Sequence, residues 1–159
     1  GSSSPPEELV WTGQNEQGEW MTAGSAYSPV YMFTDPGGTP STRVGKPMRF
    51  KGIVHQERTG LHLTMDTSEV FGRMKSAEKL DREAAKLMRS AADLIKRNHA
   101  GVPIRVECFA ETKPLAERQC REVEDFLMRE LMLLPQDISI DAQRVPYKDQ
   151  RLDIILQNR

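Results

Sequence analysis

A change of hydrophobic period near residue 60 limits what this chain can fold into more than any other feature. From Gly60 onward the apolar residues keep to strict spacings that switch between two and three to four. Leu61, Leu63 and Met65 alternate with His62, Thr64 and Asp66, which predicts a strand. Ser76 offers an N-cap, and Leu80, Ala84, Leu87, Ala91 and Leu94 then form one helical stripe that Asn98, Gly101 and Pro103 stop. Ile104, Val106, Cys108 and Ala110 alternate with Arg105, Glu107 and Phe109 as a second strand. Pro114 suits the first turn of a second helix, whose face carries Ala116, Cys120, Val123, Leu127, Leu131 and Leu134, with Pro135 ending it. Ile138 and Ile140 mark a third strand, and Leu152, Ile154 and Leu156 a fourth. The predicted order is β-α-β-α-β-β. Strands joined through helices favour parallel, right-handed crossovers with the helices packed on the sheet.

Residues 1 to 59 lack that regularity. Pro5-Pro6, Pro36-Gly37-Gly38, Pro40, Gly45 and Pro47 break the chain repeatedly, and Trp11, Trp20, Tyr27, Tyr31 and Phe33 lie between them. Such a segment cannot hold a long helix and suits short extended pieces. Met48, Phe50, Ile53 and Val54 could add a strand. The expected division is therefore a Pro/Gly-rich linker or accessory segment over 1 to 59 and a domain over 60 to 159. Gly1-Ser2-Ser3-Ser4 resembles an expression scar, so an excised piece of a longer protein is expected.

Charge narrows the function classes. The chain carries 22 Lys and Arg against 23 Asp and Glu, a net charge of -1, which removes the electrostatic case for nucleic acid as a partner. The balance conceals segregation. Glu7, Glu8, Glu16, Glu19 and Asp35 precede any basic residue, whereas Arg43, Lys46, Arg49, Lys51 and Arg58 face Glu57 alone between 36 and 58. No run approaches the roughly 18 apolar residues of a spanning helix.

The residues supply no constellation for catalysis. There is no glycine-rich phosphate loop, no Gly-x-Ser-x-Gly elbow and no helix with His at i and i+4, so neither an enzyme nor a bound cofactor is expected. His55, His62 and His99 are scattered and read as ordinary surface or strand-edge histidines, with no metal site among them. Cys108 and Cys120 are too few for a disulfide scaffold and lack zinc-site spacing.

Motifs in the second half carry a family resemblance. Val106-Glu107-Cys108-Phe109-Ala110-Glu111-Thr112 resembles the strand-end motif Val-x-Gly-His-Thr-Asp of the OmpA-like domain, the family that includes the C-terminal part of the flagellar stator protein MotB. The following residues, from Leu115-Ala116-Glu117-Arg118-Gln119-Cys120 to Phe126-Leu127, resemble the family's Leu-Ser-x-x-Arg-Ala-x-x-Val-x-x-Tyr-Leu at identical spacing. Phe71 with Ser76-Ala77-Glu78-Lys79-Leu80, and Asp149-Gln150-Arg151-Leu152-Asp153-Ile154, resemble the approach to the first helix and the closing strand. The resemblance covers about 60 to 159. It implies an α/β (α+β) sandwich with two helices on one mixed sheet, in the periplasm of a Gram-negative bacterium, on a parent protein anchored in the membrane. A homodimer is raised as well, since stator relatives dimerise through this domain.

The function it implies is noncovalent peptidoglycan binding that anchors or positions an envelope complex of motility, secretion or lipoprotein type. In the family, the strand-end acid and the helix arginine grip the diaminopimelate of the stem peptide, whose ammonium and carboxylates complement them. Carried over residue by residue, the ligand-binding positions are Phe109, Glu111, Gln119 and Arg151. Several depart from the pattern. Gln119 stands for the arginine, and losing that charged fork weakens binding on the order of tenfold to a hundredfold. Glu111 is a methylene longer than Asp, Cys108 replaces a glycine, Gln150 replaces an arginine, and the loop is reduced to Thr112-Lys113-Pro114. Two readings stay open: a weakened peptidoglycan binder, or a degenerate domain that acts as a protein-interaction scaffold. On the same comparison Cys108 and Cys120 are small buried hydrophobes, with a bridge between them left open.

Overall fold

The computed structural model describes residues 12–14, 17–72, 79–80 and 82–158. The chain divides into two compact units, Gly1–Phe50 and Lys51–Arg159.

The first unit holds short strands. β1 (Ala26–Tyr27) pairs with β4 (Met48–Arg49), and β2 (Val30–Thr34) forms an antiparallel hairpin with β3 (Pro40–Val44). Gly38, at φ 84°, closes the hairpin turn, in which Asp35 Oδ1 accepts the Thr39 N–H at 2.8 Å. Every residue of β2 and β3 is exposed, including Met32 and Phe33. Trp11 and Pro5-Pro6 lie outside the described residues.

The second unit begins at Lys51, ahead of the boundary expected at residue 60, because β5 (Gly52–Gln56) belongs to its sheet. There follow β6 (Gly60–Asp66), α1 (Thr67–Phe71), α2 (Ala84–Asn98), β7 (Ile104–Ala110), α3 (Lys113–Leu131), β8 (Ile138–Arg144) and β9 (Arg151–Gln157). The five strands lie in the order β5-β6-β9-β7-β8. β7 and β8, joined through α3, are parallel neighbours as expected. β9 enters between β6 and β7, antiparallel to both, which makes the sheet mixed.

Alternation along these strands sorts the side chains. Leu63, Met65, Ile104, Val106, Cys108, Leu152, Ile154 and Leu156 join the helices in one core with Val70, Phe71, Met88, Ile95, Leu115, Val123 and Leu127. Both long helices pack on this face. Among the described residues, no helix is long and apolar enough to cross a membrane.

The helices differ from expectation in detail. α2 starts behind Glu83, and the expected cap Ser76 lies outside the described residues. Its most buried residues are Ala84, Met88, Ala91, Ala92 and Ile95, while Leu80, Leu87 and Leu94 of the predicted stripe are partly buried. The helix packs along an adjacent row, so its apolar face is wider than one stripe. α3 ends at Leu131, before Leu134 and Pro135. Met132 terminates it in the left-handed conformation, φ 54°, and the Leu133 N–H returns to the Met128 carbonyl.

Candidate functional site

The carboxyl ends of β7 and β8 meet the start of α3, and that corner gathers several charged side chains. Thr112 caps α3, accepting the Leu115 N–H at 3.3 Å, and Pro114 occupies the first turn. Glu111, half-buried, follows Ala110 directly at the end of β7. Lys113 is exposed at the first position of α3. Arg144, which sequence reading overlooked, ends β8 opposite Ala110 and is exposed. Two parallel strands thus bring an acid and two bases to one end of the sheet, where ligands of open α/β sheets are commonly held.

Phe109 and Arg151 are brought together on the sheet face away from the helices. They are direct partners across β7 and β9, and the Arg151 guanidinium lies 3.7 Å from the centroid of the Phe109 ring. Arg151 Nε also donates to Asp153 Oδ2 at 3.0 Å. Gln119 occupies a different place. It lies on the inner face of α3, 3 % exposed, beside Ala116, Cys120 and Val123. The four expected ligand positions therefore fall into a cross-strand pair, a strand-end acid and a packed helix residue.

The same open face carries a charge network. Arg105 bridges Glu107 at 2.9 Å and Asp141 at 3.0 Å, and Gln143 donates to Asp141 at 3.1 Å. Burial pushes the Glu107 carboxyl above its ordinary range, more than Arg105 brings it down, and Asp153 and Asp141 add to the rise. The Gln143 hydrogen bond, with help from Arg105, holds Asp141 below its ordinary range.

Cys108 and Cys120 are buried free thiols, 1 % and 0 % exposed. Cys120 Sγ donates to the Asp141 carbonyl at 3.3 Å. Burial, and the neighbouring Cys120, push the Cys108 thiol far up, so neither nucleophilic nor ligand chemistry is available to it near neutral pH.

Sequence reading scattered the histidines, but the fold gathers two of them. His55 and His62 are partners across β5 and β6, with ring centroids 5.4 Å apart. Glu57, in the turn between them, lies within 4 Å of both. The missing signal was the extent and register of β5. With a strand placed over Gly52–Gln56, a two-residue turn before Gly60 would have set position 55 opposite 62.

Compared by sequence, the chain matches no family model and no curated protein. Its fold is widely shared among solved structures. An outer membrane protein from Borrelia burgdorferi B31 superposes with TM-score 0.56 at 17% identity, covering 67% of this chain and 97% of that one. The periplasmic domain of Helicobacter pylori MotB gives TM-score 0.56 at 16% identity, covering 69% and 86%. The cell wall anchor of the T6SS from Pseudomonas aeruginosa gives 0.57 at 13%, covering 68% and 89%. The fold class of the chain is that of the OmpA-like domains, with two helices on a mixed five-stranded sheet.

Proposed function

We propose that this chain is a periplasmic cell-envelope module that anchors or positions an envelope complex through weak noncovalent contact with peptidoglycan. The observation that carries the reading is the corner where Glu111, Lys113 and Arg144 stand at the ends of two parallel strands before a helix N-terminus. A stem peptide ending in diaminopimelate presents an ammonium and carboxylates. Glu111 takes the ammonium, while Lys113, Arg144 and the positive end of α3 receive a carboxylate. Lysine and an offset arginine replace the bidentate fork that the family places on the helix, so the contact is weak. Arg151 orients the sheet end from β9 through Phe109. A Gram-negative periplasm and a membrane-anchored parent complete the reading, and two copies acting together would strengthen a weak contact by avidity.

A second reading draws on Gln119. Its amide is packed against the core at the position where the family offers a cation, which suits a domain that has given up peptidoglycan and works through protein contacts alone. Pelleting with purified peptidoglycan at low salt separates the two. The first reading expects the chain to pellet and Glu111→Ala to stay in solution. If neither pellets, the second stands.

A further inference from the structure

We infer that the β5–β6 hairpin holds a divalent transition-metal site, of the kind that takes Zn²⁺, built from His55, Glu57 and His62. The hairpin turn is tight, with the Glu57 N–H donating to the Gly60 carbonyl at 2.9 Å and the Gly60 N–H donating back at 3.3 Å. That geometry sets His55 against His62 on one face of the sheet and leaves Glu57 at the turn beside them. His55 Nε2 lies 2.9 Å from Glu57 Oε1, and His62 Nε2 lies 3.7 Å from Glu57 Oε2. The three donor groups all fall within 4.8 Å of one another. Thr59 Oγ1 lies 2.6 Å from His62 Nε2, so a fourth donor stands at the same place.

A structural His–Glu hydrogen bond needs one imidazole. Here both turn the same nitrogen toward one carboxylate, and their rings stack at 28°. Two imidazoles and a carboxylate suit zinc, which accepts nitrogen and oxygen donors near 2 Å and leaves a fourth position for water or a hydroxyl. Mg²⁺ prefers an octahedral shell of oxygens and fits this donor set poorly. The surroundings favour an ion entering from solvent. The imidazoles are 6 % and 11 % exposed, the Glu57 side chain 42 %. A cavity of about 320 Å³ lined in part by Arg105, Glu107 and Ile155 also reaches Thr59. The Arg105 charge there is offset by Glu107 and Asp141. Bound metal would staple β5, the edge strand, to β6.

The test is calorimetric titration of the whole chain with ZnCl₂, together with thermal unfolding in the presence of Zn²⁺ or Mg²⁺. Saturable one-to-one binding in the micromolar range is expected, with unfolding shifted upward by Zn²⁺ and unmoved by Mg²⁺. His62→Ala and Glu57→Gln should each weaken binding about tenfold or more, and His99→Ala should leave it unchanged. Because His62 is buried and its replacement could unfold the hairpin, Glu57→Gln, at the exposed turn, keeps the test independent of folding. Absence of saturable zinc binding, or binding that survives Glu57→Gln, overturns the inference.

Discussion

Arg151 caps the ring of Phe109 from the neighbouring strand, 3.7 Å above its centroid, and holds the nearly buried Asp153 carboxylate with the same guanidinium. One side chain thus satisfies an aromatic face and an acid that the sheet would otherwise leave unpaired. Arg151→Ala is expected to lose about 2 kcal/mol of stability, from the cation–π contact together with the orphaned Asp153 oxygen. Arg151→Lys should recover part of that, since a point charge restores the attraction but not the planar stack. Urea unfolding of the three proteins measures both. Equal stability in all three would show that the contact contributes nothing.

Two backbone positions with positive φ should respond in opposite directions. Gly60, at φ 150°, runs so close to β9 that a Cβ would overlap the Leu156 carbonyl oxygen. Gly60→Ala is expected to cost about 3 kcal/mol, since the strand must shift away from its partner. Met132 occupies the left-handed position usually given to glycine, at a cost of about 1 to 2 kcal/mol. Glycine's extra chain entropy returns part of that, so Met132→Gly should raise stability by about 0.5 to 1 kcal/mol. Thermal unfolding of both variants reads the two signs.

Glu107 gives the sheet face a pH dependence of a particular sign. Burial raises its pKa in the folded state, so the folded chain keeps this proton to higher pH than the unfolded chain does. Folding is favoured below that range and weakened as pH rises through it. Asp141 is lowered and acts the other way, its contribution present at neutral pH and lost on acidification. Glu107→Gln should therefore gain stability relative to the native chain as pH rises from about 4 to about 7. An advantage that shrinks over the same interval would contradict the assignment.

Much of the fold could be read from period. The alternation in Leu61–Leu63–Met65 and in Ile104–Val106–Cys108 arises because each strand buries one side under the helices, and the structure puts these residues there. For β5 only the chance of a strand through Ile53 and Val54 was legible, since Gly52–Gln56 is short and its two apolar residues are adjacent instead of alternating, and α1 escaped because Thr67–Phe71 is too brief to show a helical period. The candidate site was less legible. Pairing of Phe109 with Arg151, and of His55 with His62, depends on which strands become neighbours, a long-range choice that spacing along one strand does not encode. Gln119 is a different case. It lies three residues after Ala116 and four before Val123, so its burial follows from the same stripe that placed α3 on the sheet.

In the function proposed above, the corner formed by Glu111, Lys113 and Arg144 engages the diaminopimelate of peptidoglycan weakly. Titrating isotope-labelled protein with a soluble stem peptide that ends in diaminopimelate, and following backbone amide shifts, tests it residue by residue. Shifts are expected to concentrate at residues 109 to 115 and around Arg144, to saturate with a dissociation constant of about a millimolar and to be abolished by Glu111→Ala. Absence of shifts at about ten times that concentration, or shifts elsewhere that survive Glu111→Ala, would contradict it.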